Sequence, residues 1–377
     1  MTDSTAPAAT PKPSGEIRAL TGLRGIAAIY VVLFHANGFY RFPAEILPFI
    51  RHGYLAVDMF FILSGFVMAM TYASLFETGF CIHKFKHFLL LRLARIYPLF
   101  ALMTVITALL IATVLNGTYS FSDLPRALLF NFTLTHVWGM SNSIVPPSWS
   151  ISTEWLAYLL FPAGAWVALR VSRRWSLVGL AVSFAVLAVI AFGPAWFAQS
   201  ALLRRHGDLD IVSSYALGTS LRCLASFYIG LVAYRFRALI PARAAIVLLV
   251  LAIGLLCLRH SDLALVGVFA VLIMALSHDS GPLAKLLGMK WIYWLGVISY
   301  ALYLIHDLVQ KIIFKTLPAW GIDVLHHRGV WVVVSMTISI ALAALCHYTY
   351  EKPSRRWFRS FINRPAAKPD AILTPAE

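Results

Sequence analysis

Five residues in this sequence have types and positions that could do chemistry. Arg24 and His35 stand eleven residues apart in the apolar stretch LRGIAAIYVVLFHAN. On a helix that spacing falls about 20° short of three full turns, so both side chains share one face, roughly 16 Å apart along the axis. An anchoring arginine and a hydrogen-bonded core histidine would look the same. So would a charge-binding group held at a fixed distance from a reactive imidazole. Asp58 in GYLAVDMFFILSGF, Glu154 in PPSWSISTEW and His306 in ISYALYLIHDLVQK are equally isolated among apolar neighbours. A carboxylate beside an imidazole orients it and supports its cation, as a general base requires. Asp58 and Glu154 are both candidates for that partner. His306 is a second candidate base, or a donor to a developing oxyanion.

The elements that must position these residues follow from composition. Of the 377 residues 60% are hydrophobic and only 12% are charged, about half the charged share of a soluble domain. Apolar runs of about 20 residues recur along the chain, which predicts an all-α, polytopic membrane helical bundle. The runs are continuous rather than alternating, which argues against a β-barrel. Ten spans are predicted, at 24–41, 53–75, 93–115, 149–169, 175–197, 213–234, 240–258, 262–278, 291–314 and 329–350. Of the 31 Lys and Arg residues, 21 fall in the two tails and in the loops after the even-numbered spans. The positive-inside rule then predicts that both termini are cytoplasmic.

That orientation brings His35, Asp58, Glu154 and His306 to similar depths in the outer half of four spans. A single polar residue in a span is commonly a hydrogen-bond partner for a neighbouring helix. Four ionisable groups at one level point to function instead. Ser299, Tyr303, His306 and Gln310 follow helical spacing and predict one polar stripe facing a cavity or a partner helix. Trp149, Ser152 and Tyr303, near the same level, are candidates for binding an acceptor. The mildly apolar outer loop 116–148 is expected to lie in the interface or re-enter the bundle.

The inner edge has a different character. Arg92 and Arg95 in KFKHFLLLRLARIYPL lie on one face of the third span, level with Arg24. Guanidinium groups there anchor lipid headgroups or grip phosphates in bidentate fashion. In YEKPSRRWF, Glu351 is expected to pair with a neighbouring arginine, and Arg355 and Arg356 to face lipid. A phosphate site at the inner face with a base about 16 Å deeper fits a donor with a charged head and a long thin arm. Acetyl-CoA, or another acyl-CoA, has that shape.

Residues 1–17 predict a disordered cytoplasmic tail without a signal peptide, residues 18–356 one integral-membrane domain, and residues 357–377 a cytoplasmic C-terminal tail. No second soluble domain is expected. The net charge of +15 is concentrated in alternate short loops, as membrane topology requires, so no nucleic-acid partner is expected. Cys81, Cys223, Cys257 and Cys346 lack paired or metal-like spacing, which argues against disulfides and a zinc site. No metal is expected.

The pieces LTGLRGIAAIYVVLFHA, GYLAVDMFFILSGFVM, RLARIYPLF, PPSWSISTEW, ISYALYLIH and YEKP together resemble acyltransferase family 3, the integral-membrane O-acyltransferases, in the family's order. The resemblance implies a ten-helix core with an inside N-terminus and Arg24 and His35 as the family's Arg-x10-His pair. It implies transfer of an acyl group, usually acetyl from acetyl-CoA, to a hydroxyl of a cell-surface or exported carbohydrate, possibly lipid-linked. It places the chain in a bacterial inner membrane. It leaves open the acceptor, acetyl against succinyl, and direct transfer against an acyl-histidine. Some relatives carry a fused extracytoplasmic domain; none is expected here, so the bundle or a separate protein engages the acceptor. A proton-coupled transporter or a glycan export channel would also bury His and Asp. The broken helices in matched positions that a transporter favours are not seen.

Overall fold

The computed structural model describes residues 16–76, 79–114, 123–193, 206–212 and 217–363. The predicted tails before residue 16 and after residue 363 lie outside those residues. Among the described residues there are helices and no strands. Helices α1 (Arg18–Tyr40), α2 (Ala56–Tyr72), α3 (Ile82–Thr113), α4 (Trp149–Ala165) and α5 (Arg173–Phe192) are followed by α6 (Leu217–Phe236) and α7 (Ala244–Leu256). Then come α8 (Asp262–Leu276), α9 (Lys290–Lys311), α10 (Arg328–Cys346) and α11 (Lys352–Ile362). Each predicted span overlaps one of the first ten. Seven helices, α2 with its flanking turns among them, are long and apolar enough to cross a membrane. Helices α4, α7 and α8 are shorter, at 17, 13 and 15 residues.

Two close crossings organise the bundle. In lipid, helices gain little from hiding apolar surface, so association depends on packing and polar contacts, and small residues let backbones approach. Helices α1 and α9 run side by side in the same direction and meet at glycines. A Cβ on Gly25 would lie 2.5 Å from the Gly296 nitrogen, and one on Gly296 would lie 1.8 Å from the Thr21 carbonyl oxygen. Helices α2 and α6, also parallel, meet in the same way. A Cβ on Gly65 would sit 2.0 Å from the Phe227 oxygen, and one on Gly230 2.1 Å from the Ile62 oxygen. Parallel pairs of this kind need an odd number of intervening crossings, as alternating spans supply.

One buried ion pair bolts α2 to α6. Both carboxylate oxygens of Asp58 accept from Arg222, at 2.5 Å from Nη2 and 3.0 Å from Nε. Ser226 donates to Asp58 as well. Arg222 also caps the main chain at Tyr54 and Ile211. Both charged side chains are fully buried.

The segment 123–148 folds onto α3 and α4 rather than running free. It forms a short helix, Leu124–Phe132, and a tight turn at His136–Met140. Buried Asn131 holds it together, donating to the Ala127 and Asn142 carbonyls and accepting from the Ile144 amide. At the other end of the bundle α11 packs against α3 and leaves Trp357 and Phe361 more than 60% exposed.

The ion pair gives a direct stability test. Arg222→Met strips the partner from a buried carboxylate, which costs about 3–5 kcal/mol. Thermal melting of the detergent-purified protein should fall sharply for Arg222→Met and recover in part in Asp58→Asn/Arg222→Met. A single variant that melts with the wild type would show that Asp58 is not held by this pair.

Candidate active site

The α1–α9 crossing carries two imidazoles together. Each is pinned by the carbonyl one turn back: Nδ1 of His35 lies 2.9 Å from the Val31 oxygen and Nδ1 of His306 lies 3.2 Å from the Leu302 oxygen. A carbonyl only accepts, so both Nδ1 atoms carry protons. Nε2 of His306 is then a lone pair, 3.3 Å from Nδ1 of His35, and accepts part of that same proton. The rings meet edge to face, with centroids 4.9 Å apart. Nε2 of His35 is left as a lone pair with no hydrogen bond to the described residues. His306 is fully buried, whereas His35 is half-buried. The lone pair on half-buried His35 is the one that can take a proton from outside.

A cavity of about 790 Å³ occupies the other half of the bundle, between α1, α2, α3, α4, α9 and α11. It runs from Glu16, Lys352 and Arg359 at the expected cytoplasmic end to Ser150 and Tyr303. Six cationic side chains and three carboxylates line it. Arg24 is fixed to α9: Nε donates to Ser299 Oγ at 3.0 Å and Nη2 to the Gly296 carbonyl at 2.8 Å. Arg92 is 8% exposed, donates to the Tyr72 hydroxyl at 2.9 Å and lies over that ring. Its Nε is buried without a partner. Arg95 lines the same wall. Among the described residues no carboxylate bridges any of these three arginines.

At the deep end Tyr303 donates to the Pro147 carbonyl at 2.9 Å and lies 2.8 Å from Ser150 Oγ. Its ring centroid is 6.0 Å from that of His306. Neither imidazole is on the cavity wall. They sit one helical turn of α9 beyond it, with Tyr303 between.

The polar stripe of α9 therefore faces α1 and α4. Arg24 bonds Ser299, Tyr303 meets Ser150, His306 meets His35, and Gln310 donates to the Val32 carbonyl. The carboxylates are a correction. Neither Asp58 nor Glu154 reaches an imidazole. Asp58 is consumed by Arg222, the arginine in the middle of the sixth predicted span, whose burial demands a counter-charge. Glu154 lines the cavity, where Oε1 accepts from Ser64 at 2.5 Å and from Tyr158 at 2.7 Å. The Val31 carbonyl and His306 orient His35 instead.

Of the three residues expected to bind acceptor, only Tyr303 lies on the cavity wall. Ser152 donates to the Leu134 carbonyl and accepts from the Val137 amide, which ties down the 123–148 segment. Trp149 packs against the Arg222 guanidinium at 5.6 Å and against Phe61. Near the C-terminus, Glu351 pairs with His347 at 2.9 Å rather than with an arginine. Arg355 turns into the cavity, while Arg356 is exposed. One helical turn separates Glu351, Arg355 and Arg359, which puts all three on one face of the chain.

Comparison with known proteins decides the family. A family model described as an acyltransferase domain, that of acyltransferase family 3, matches residues 17–348. The chain belongs to that family. It is 24% identical, over 92% of its length, to a peptidoglycan O-acetyltransferase, OatA, of Listeria monocytogenes. Over a similar share it is 25% identical to a protein of Bacillus subtilis named as a putative peptidoglycan O-acetyltransferase, YrhL. The match covers 57% and 56% of those two proteins, so the chain spans little more than half their length. A shorter protein from the picA locus of Rhizobium radiobacter is 35% identical over 46% of this chain and 93% of its own length. No solved structure matches the chain. This family member is thus an acyltransferase that is helical throughout its described secondary structure, with seven helices long and apolar enough to cross a membrane.

The tautomers can be read directly. Selective ¹⁵N-histidine NMR, assigned with His35→Gln and His306→Gln, should show both rings protonated at Nδ1. A resonance for His35 protonated at Nε2 would remove the lone pair on which base chemistry depends.

Proposed function

We propose that this protein moves an acyl group, acetyl in the first instance, from cytoplasmic acyl-CoA to a hydroxyl of a cell-surface or exported carbohydrate. The names of the peptidoglycan O-acetyltransferases support the acceptor class. One observation carries the rest: an arginine-rich cavity ends one helical turn short of a lone pair on a half-buried imidazole. In this reading both termini are cytoplasmic, ten helices cross the bacterial inner membrane, and the cavity opens inward.

The donor's phosphates rest among Arg92 and Arg95, whose planar forks suit paired phosphate oxygens. Arg24, tied down by Ser299 and Gly296, presents its remaining N–H groups further in. The pantetheine arm follows the cavity toward Tyr303, and the thioester reaches His35 when Tyr303 turns aside. A sugar hydroxyl is a weak nucleophile at neutral pH. His35 Nε2 takes its proton as the oxygen attacks the thioester carbonyl, a contribution of about 10²–10⁴-fold. The new C–O bond forms, the C–S bond breaks, and the thiolate leaves with the proton returned from the imidazolium. His306 accepts from Nδ1 of His35 and steadies the cation as it forms. Attack by His35 on the thioester would instead give an acyl-histidine, which keeps the residue and changes its role.

His35→Ala should abolish acyl transfer while leaving CoA affinity and protein level near wild type. Arg92→Ala or Arg95→Ala should weaken CoA binding by about 1.5–3 kcal/mol, and Arg24→Lys should restore only part of the loss in Arg24→Ala. Full acylation by His35→Ala would end the reading. Unchanged CoA affinity in all three alanine variants would assign the arginines to lipid instead. Cysteine labelling at residues 10 and 370 should succeed only from the cytoplasmic side.

A further inference from the structure

The matched family domain ends at residue 348, yet the cavity wall does not. Helix α11 begins at Lys352 and contributes Lys352, Arg355 and Arg359 to the lining. We propose that Arg355 and Arg359 of α11 close on Arg92 and Arg95 of α3 to form a four-arginine clamp for a polyphosphate group.

The side chains themselves point to an anion. Nε of Arg359 and Nε of Arg92 are both buried with no hydrogen-bond partner. A buried guanidinium nitrogen without an acceptor is costly, and native structures rarely leave one so. Here two occur in one wall, from two different helices. Arg355 shares one cavity wall with Arg95, Arg359 and Arg92 and feels their like charge. Four guanidinium groups held against their own repulsion need a multivalent counter-ion. The nearby carboxylate, Glu351, is engaged by His347 through one oxygen and carries a single charge, too little for four guanidinium groups. Several phosphoryl groups on one ligand, each able to take a bidentate fork, fit the number and the planarity of the donors.

The helix that brings these arginines is built for the position. Trp357 and Phe361 stack with ring planes 18° apart on a face that is exposed. Arg355 and Arg359 lie one turn apart on a different face and reach the cavity. An apolar face in the interface and a basic face turned inward seat the helix at the membrane surface. The source of the phosphoryl groups is either a nucleotide donor or an anionic phospholipid headgroup. The nucleotide choice rests on the proposed function; the clamp itself does not.

The test uses the full chain in nanodiscs of zwitterionic phospholipid, titrated calorimetrically with CoA and separately with inorganic diphosphate. Wild type should bind both. Arg355→Gln/Arg359→Gln should weaken both at least about tenfold, as expected for lost charge-assisted bonds. Arg356→Gln, on the exposed side, should leave both unchanged. Arg359→Lys should recover part of the affinity, and ligand-free melting should show that the double variant is folded. If diphosphate binding depends on Arg355 and Arg359 while CoA does not bind, the clamp stands and the donor reading falls. If neither probe binds, but stabilisation by added anionic lipid is lost in the double variant, the clamp stands with a headgroup as its ligand. Equal affinity of the double variant and wild type for both probes overturns the clamp and leaves the proposed function intact.

Discussion

The contact of α1 with α9 at Gly25 and Gly296 sets what the rest of the bundle can do. With a Cβ at Gly296 only 1.8 Å from the Thr21 oxygen, any larger residue forces the helices apart. At the observed distance Arg24 reaches Ser299 and the Gly296 carbonyl, and eleven residues along α1 His35 reaches His306. Because the two helices run in parallel, an interval along one is repeated along the other. A fixed offset between an arginine and an imidazole thus becomes a fixed offset between two rigid sites.

Charge is then distributed unevenly along the bundle. Toward the expected outer side, Asp58 is held by Arg222, and one oxygen of Asp262 accepts from the Tyr54 hydroxyl and the Leu209 amide while His52 stands 3.8 Å from the other. Such pairs add rigidity and leave nothing free to react. Toward the other side, arginines line a cavity without carboxylate bridges, two of them with a buried nitrogen unpartnered. Pairing marks the scaffold. Its absence marks the place proposed here for a charged ligand.

The sequence announced the helices well, because about 20 apolar residues in a row have few alternatives in a membrane. It also announced which polar residues matter, since each stands alone among hydrocarbon neighbours. What it hid was the pairing. Depth along a span is legible, but rotation about the helix axis is not. Asp58 and Glu154 lie at the right level for His35 and point elsewhere, one to Arg222 and one to Ser64 and Tyr158. The lone arginine inside the sixth span was the available signal for the first of these. Ser152 looked like a ligand-binding hydroxyl and instead holds a loop. An arginine after a span usually faces lipid, but at Arg355 the helical register shared with Glu351 and Arg359 turns it inward.

The account rests on a donor entering from one side of the membrane and an acceptor reacting at the other. Sealed inside-out vesicles containing the purified protein, with an acceptor oligosaccharide trapped in the lumen, test this directly. Radiolabelled acetyl-CoA is added outside, on the cytoplasmic face, and the lumenal sugar is recovered and counted. The account predicts label on the trapped sugar with wild-type protein and background counts with His35→Ala. Label that appears only when donor and acceptor share one compartment would contradict it.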